Sequence, residues 1–565
     1  MATLSPPDHS TYPPPSSSPS SNTLIENYTD DPTTTQAGND TKKPASLNLS
    51  QGGMSEETAR AESKVKEPEA GVHVKLSQKR KWMLLFVFSA AQYLDIALYS
   101  SGLILTDSIQ QDLGILYESS SWVITAYTVT FASFLLLWGR VSDLYSPKAV
   151  FAYGFLLLGL FSLVLSFMAS QYAFFVFRAL MGICGAATIP SAYRLIVAIF
   201  EPQELNIALT MFMMSGPMAV CSAMIIAAVF EFVTVSNQLA GWRWFFRSIS
   251  LVVAPFGIFA LKAIPSEAGR LDNQKLDRKD RLKRLDVVGC ALMLSGIILF
   301  VLGLTLGSSF GWRKPGFLVP FLLSWLIFVS FFFWEARLPE GYALIPPHFW
   351  KLRNTALIIF CSLAIYPLWA VTQLVFIERS LTVWDELAIV AAVRMLPSSI
   401  MAIIVALVLP RILKNVRNLR WPMVFGLGIS GLLIIPMIYS EGKIFHNAYW
   451  RWLFPAFIVG SSANTVFFLC ANVAIMTSVD KEMGGVAGAL FQVALQVGTV
   501  IGLSVQAGFL TLHPGNVSNW DNVSVSFWFV VGWQLLAALL TAVFYRQPKK
   551  DEKDEESGET AVMAH

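Results

Sequence analysis

The chain has 565 residues, of which 54% are hydrophobic and only 14% charged, against roughly 25% charged in an ordinary soluble domain. The charges are also clustered: 42 of the 79 (41 basic, 38 acidic) fall in residues 1–81, 262–286 and 546–565, so the rest of the chain is only about 8% charged. A soluble fold cannot wet its surface with so few ions, and a net charge of +3 is too small to seek a polyanion, which excludes a soluble enzyme and a nucleic-acid binder.

Residues 1–80 are rich in Pro, Ser, Thr and charge and carry no apolar periodicity, so they read as a disordered tail with no run that could serve as a cleavable signal. From there, stretches of about 20 apolar residues, the length needed to cross roughly 30 Å of hydrocarbon, recur with short breaks. Fourteen such spans are expected, from 82–104 to 525–545. The ninth and tenth are parted only by a break carrying Glu378, Arg379, Asp385 and Glu386, and the count falls to twelve if two weak spans re-enter. The order is a six-span block over 81–263, a basic linker over 264–286, two additional spans over 287–335, a second six-span block over 336–546 and an acidic tail over 547–565. Lys and Arg number about 25 in one set of alternate loops and about 7 in the other, which places both ends in the cytosol. Sequons at Asn516 and Asn522 then fall outside and are the expected glycan acceptors, whereas those at Asn27, Asn39 and Asn48 are cytosolic and silent.

Several familiar chemistries are missing. The five cysteines are far apart inside apolar runs, and the six histidines are scattered, so no metal site or cofactor is expected and the thiols should be free and buried. No phosphate-cradling GxxxxGK[ST] loop occurs, which argues against ATP as the energy source. Gly426-Leu427-Gly428-Ile429-Ser430-Gly431 fits GxGxxG but lies inside an apolar span, where glycines serve close helix packing.

The loop after the second span, Gly139-Arg140-Val141-Ser142-Asp143-Leu144-Tyr145-Ser146-Pro147-Lys148, is similar to the signature of the major facilitator superfamily, Gly-x-Leu-Ala-Asp-Arg-x-Gly-Arg-Lys. Gly139, Asp143 and Lys148 match, while Leu144, Ser146 and Pro147 replace Arg, Gly and Arg. Phe177-Arg178 through Gly182 and Gly185 resembles the fourth-span Arg-x-x-x-Gly-x-Gly pattern, and Gly241-Trp242-Arg243-Trp244 the entry to span six. With Leu285-Asp286-Val287-Val288-Gly289 and the Gly485 to Gly502 run, the chain resembles the fourteen-span drug:proton antiporter branch, its fungal members above all. The resemblance implies an all-α polytopic fold of two six-helix bundles plus two extra spans, a cytosolic gate at Gly139, Asp143 and Lys148, and a functional fifth-span motif at Gly216 and Pro217. That motif departs from the antiporter pattern, because Met218-Ala219-Val220-Cys221 replaces its two closing glycines.

Ionisable groups inside spans are costly and so are functional candidates. Asp95 lies about 20 Å into the first span, with Gln92 and Tyr99 on the same helix face. It reads as a proton or substrate group, the alternative being a structural hydrogen bond. Arg178 reads as a coupling residue, the alternative being a charge at the outer helix end, and Asp107, where the family usually has Pro, is expected to be wet. Gln492, Gln496, Thr499 and Gln506 share one face of span thirteen, and Asn464 and Asn472 in span twelve join Gln492 and Gln496 as candidate cavity-lining groups. The expected function is secondary active transport, with proton-coupled export of a small organic molecule across the plasma membrane by a monomer. The alternatives are uptake of a small polar solute such as ammonium and, from another class, a non-transporting sensor.

Overall fold

The computed structural model describes residues 76–546 apart from 234–236, 267–283, 340–341, 414–417, 441–448 and 480–483. Residues 1–75 of the expected 1–80 tail, the 547–565 tail and most of the basic linker therefore lie outside the described residues, while 78–80 of that tail already belong to the first helix. Among the described residues, fourteen helices are long and apolar enough to cross a membrane. They are α1 (Gln78–Leu113), α2 (Trp122–Leu144), α3 (Pro147–Leu165), α4 (Gln171–Ile199), α5 (Pro202–Glu231), α6 (Gly241–Ala263), α7 (Val287–Phe310) and α8 (Pro315–Glu335), followed by α9 (Thr355–Thr382), α10 (Ala388–Leu413), α11 (Arg420–Tyr439), α12 (Tyr449–Thr477), α13 (Gly484–Leu510) and α14 (Trp520–Phe544). Helices suit the hydrocarbon because each satisfies its own backbone N–H and C=O groups.

Local chemistry sets the ends. Gly114 closes α1 in the left-handed region at φ 65°. Ser146 caps α3, its hydroxyl accepting from the Ala149 N–H at 3.4 Å, and Pro147 fills the first helical position. With fourteen spans, α1 starts and α14 ends on one side, called here the terminal face. On the opposite face Arg243 joins three helices, donating to the Asp112 carboxylate at 2.9 Å and to the Ser166 and Met168 carbonyls at 3.0 and 2.7 Å.

The packing repeats. In the first half α1 lies on α5, α2 on α4, and α3 on both α4 and α6; eight helices later α9 lies on α13, α10 on α12, and α11 on both α12 and α14. The two halves meet along two seams, α2 against α13 and α5 against α10, which are the same contact seen from either half. The additional pair is not symmetric. α7 packs on α2 and α13, beside one seam, and holds α8, most of whose surface faces outward. At the terminal end of this pair the Asp286 carboxylate accepts from Gly289 N–H at 3.0 Å and from Trp334 Nε1 at 2.8 Å, and Glu335 accepts from the Leu344 and Ile345 amides.

Two expectations about polar residues are corrected. Pro367 has no N–H for the carbonyl four residues earlier, so α9 breaks near Leu363. The two carbonyls just past the break also accept from side chains of other helices, Ala364 from Gln534 Nε2 at 2.7 Å and Ile365 from Asn464 Nδ2 at 2.9 Å. Asn464 is therefore fully buried as a brace for the break and does not line the cavity. Asn522 is also fully buried, its amide donating to the Leu510, His513 and Asn516 carbonyls at 2.9–3.1 Å, so in the folded chain it is not an accessible glycan acceptor. Cys184, Cys290, Cys361 and Cys470 are free and buried, while the side chain of Cys221 is outside the described ones.

The break also needs a glycine opposite it. A Cβ on Gly498 would overlap the Leu363 carbonyl, whereas one on Gly428, within the GxGxxG run, would meet nothing. Gly498→Ala should cost on the order of 1–3 kcal/mol, and Gly428→Ala less than about 0.5 kcal/mol. Denaturant or thermal unfolding of the two variants in detergent measures the difference.

Candidate functional site

A cavity of about 280 Å³ lies between the two halves, bounded by α1, α2, α4 and α5 on one side and by α9, α10, α12 and α13 on the other. Its walls reach Tyr193 near the end of α4, Pro410 near the end of α10 and Asn472 near the end of α12, all towards the terminal face. On the opposite side the halves are joined by Tyr117, whose hydroxyl donates to Glu378 at 2.8 Å.

Of the residues singled out above, Gln92, Asp95, Tyr99, Gly216, Pro217, Asn472, Gln492 and Gln496 line this cavity, as does Thr499. The α1 face that carries Gln92, Asp95 and Tyr99 thus meets the α13 face that carries the two glutamines. Asp95 is the only charged side chain among the lining residues. It is almost fully buried, and its carboxylate accepts a hydrogen bond from the Tyr127 hydroxyl of α2. The contact depends on glycine: a Cβ on Gly182 would overlap the Tyr127 carbonyl, and one on Gly185 would enter the space shared by Asp95 and Tyr127. The fourth-span glycines therefore let α4 close on α2 and leave room for the pair.

Arg178 does not reach the cavity wall and is not at an exposed helix end. It is fully buried behind Tyr127, with its guanidinium 5.3 Å from the ring centroid, donating to the Val123 carbonyl at 2.9 Å and the Leu98 carbonyl at 3.1 Å. Asp95, Tyr127 and Arg178 thus form one connected row across α1, α2 and α4. Nη2 of Arg178 has no partner among the described atoms.

At the terminal face Asp143 pairs with Arg194 of α4. The basic partner that Leu144, Ser146 and Pro147 do not supply comes instead from another helix. Gly139 lies against Pro190 of α4, Arg140 Nε donates to the Arg284 carbonyl at 2.9 Å, and Lys148 is half-buried on α3. Sequence reasoning passed over Arg194, and also Tyr127, Tyr193 and Tyr366, because a tyrosine within an apolar span scores as hydrophobic until its hydroxyl is seen to face a cavity. Among the described residues no group of three or more His, Cys, Asp or Glu could hold a metal ion.

The family model described as Major Facilitator Superfamily matches residues 84–503, with a second match over 385–563. The Major facilitator superfamily multidrug transporter mfsC of Aspergillus fumigatus is 24% identical over 515 residues, covering 89% of this chain and 94% of that protein. The low affinity ammonium transporter of Saccharomyces cerevisiae is 24% identical over 436 residues, covering 75% and 80% respectively. Among solved structures, the peptide transporter POT in complex with sulfate aligns with a TM-score of 0.61 at 15% identity, covering 84% of this chain and 96% of that one, a likeness of fold.

The Asp143–Arg194 pair makes a non-additive expectation. Asp143→Asn and Arg194→Gln should each lower the initial rate of transport roughly threefold to tenfold, and the double variant should be no slower than the worse single one. Rates in vesicles at matched protein content check this; additive losses would mean that the two side chains act separately.

Proposed function

The chain belongs to the major facilitator superfamily, and from that premise we propose that it exports small organic molecules in exchange for protons by alternating access. The observation that carries the reading is Asp95, a single carboxylate in a central cavity walled by tyrosines, amides and apolar side chains, in hydrogen-bond contact with Tyr127. A carboxylate in that setting can bind a proton when the cavity faces one side and release it when cargo takes its place. Tyr127 relays the state of Asp95 to Arg178, which holds carbonyls of both α1 and α2, so protonation is felt where those helices pack.

A cavity of this size, with Tyr99, Tyr193, Tyr366 and Trp369 on its walls, suits an aromatic or aliphatic cargo. The multidrug transporter among the relatives supports that class. Uptake of ammonium is the second reading, favoured by the yeast relative and by the absence of the closing glycines after Pro217. Ammonium would leave most of the space unfilled. In this reading the protein is a monomer in the plasma membrane, needs no ATP, keeps both ends in the cytosol and carries any glycan on Asn516, and the terminal face is the cytosolic one.

Asp95→Asn keeps the shape and one hydrogen bond but removes the titrating oxygen. In sealed vesicles with an imposed pH gradient, uphill accumulation of a transported organic cation should fall at least about tenfold, while binding and downhill exchange persist. Full accumulation in the variant would place the proton site elsewhere and strengthen the ammonium reading. A tag in the 267–283 segment accessible only from the cytosol, with glycan loss on Asn516→Gln in a glycosylating host, would support the orientation.

A further inference from the structure

A second cavity, of about 130 Å³, lies on the opposite side of the central one, between α1, α2, α9 and α13, beneath the Tyr117–Glu378 contact. Two of its lining side chains are charged, Asp107 of α1 and Glu378 of α9, and both are acids; no Lys or Arg lines it. Arg178 and Arg379 do not line it; Arg178 donates to the Leu98 and Val123 carbonyls, and Arg379 donates to the Val517 carbonyl and lies over the ring of Trp520. The acids have only partial satisfaction inside the protein, Glu378 accepting from Tyr117 and Asp107 from Gln111 Nε2 at 2.9 Å.

An independent feature points to a ligand. Gln506 of α13 is 1% exposed and lines the same cavity; its Nε2 donates to the Val371 carbonyl at 3.1 Å, while its Oε1 has no partner among the described atoms. A buried amide oxygen without a donor is costly, and this one lines the same cavity as the two carboxylates, so the wall offers acceptors to whatever enters. The rest of the wall mixes aliphatic side chains such as Leu103, Leu374 and Leu503 with hydroxyls, and those of Thr106, Thr125, Ser308, Thr382 and Thr511 donate to nearby backbone carbonyls, which leaves their methyl and methylene groups to join the aliphatic surface. Acceptors on an apolar wall suit a cation with N–H donors and a hydrocarbon body. A divalent metal ion is a poor fit, since no three metal-ligating side chains converge among the described residues. The volume is close to that of a cavity of about 150 Å³ that holds benzene, which sets the body at roughly six to eight heavy atoms.

We propose that this vestibule is a second ligand site, distinct from the central cavity, that takes a small protonated organic amine, its ammonium held by Glu378, Asp107 and Gln506 Oε1. The site rests on the export reading in one respect: it lies where cargo leaving through the opposite face passes after Asp95. An ammonium group on Glu378 competes with Tyr117 for the same carboxylate, so occupancy weakens the hydrogen bond that joins the halves on that side.

The test is calorimetric titration of the full chain in lipid nanodiscs with benzylammonium and with benzyl alcohol, its neutral counterpart. Benzylammonium should bind the wild type, weaken about tenfold or more in Glu378→Gln and less in Asp107→Asn, and be restored towards wild type in Glu378→Asp, which keeps the charge and guards against a folding defect. Benzyl alcohol should bind weakly and alike in all of them. Unchanged benzylammonium affinity in both carboxamide variants, loss in Asp95→Asn alone, or equal binding of the alcohol would overturn the site. Because binding is read at equilibrium without a gradient, failure of wild-type vesicles to export would remove the export reading and leave this result standing.

Discussion

No water is at hand inside hydrocarbon to satisfy a stranded polar group, and the architecture of this protein follows from that constraint. Regular helices meet it for most of the chain. Where a proline interrupts a helix, side chains from other helices add support beside the break, as Gln534 and Asn464 do by donating to the Ala364 and Ile365 carbonyls. The same demand places glycines: Gly498 opposite the break in α9, and Gly182 and Gly185 where α4 closes on α2. Each is a position where one backbone must approach another group more closely than a Cβ permits.

The constraint also explains why the central site is recognisable. Asp95 could have been neutralised by a buried cation, yet its immediate partner is the neutral hydroxyl of Tyr127, and Arg178 is one ring further away, with Nε and Nη1 donating to backbone carbonyls. A directly paired Asp and Arg would be held together too firmly for either to change state. In the export reading proposed above, the aromatic ring between them would leave the carboxylate free to change state with the cation still close by.

Much of the fold could be read from the chain alone, because a span of about 20 apolar residues has one dominant physical meaning in a chain this poor in charge. All fourteen spans were legible, down to the weak ninth and tenth, and so was the α1 face bearing Gln92, Asp95 and Tyr99. What escaped depends on which helix stands beside which. Asn464 and Asn472 look alike eight residues apart on one helix, but the first braces a broken neighbour and the second faces the cavity. Asn522 satisfies a sequon as well as Asn516 does, and only the fold of the 510–522 turn shows its amide consumed by three carbonyls. The acid of the terminal-face loop was found by its motif, whereas its partner Arg194 lies 51 residues on and carries no local sign of that role.

The repeat of contacts between the halves makes the two seams equivalent in principle, since α2 on α13 and α5 on α10 exchange under the same symmetry. The α7–α8 pair breaks that equivalence by packing against α2 and α13. Parting α2 from α13 must also strip α7 from one of them, while parting α5 from α10 carries no such surcharge. A two-leaved door with one leaf on a stiffer spring does not swing about its midline, and under the alternating-access reading the axis of motion would be displaced towards the α7 side, leaving the α5–α10 edge to travel farther.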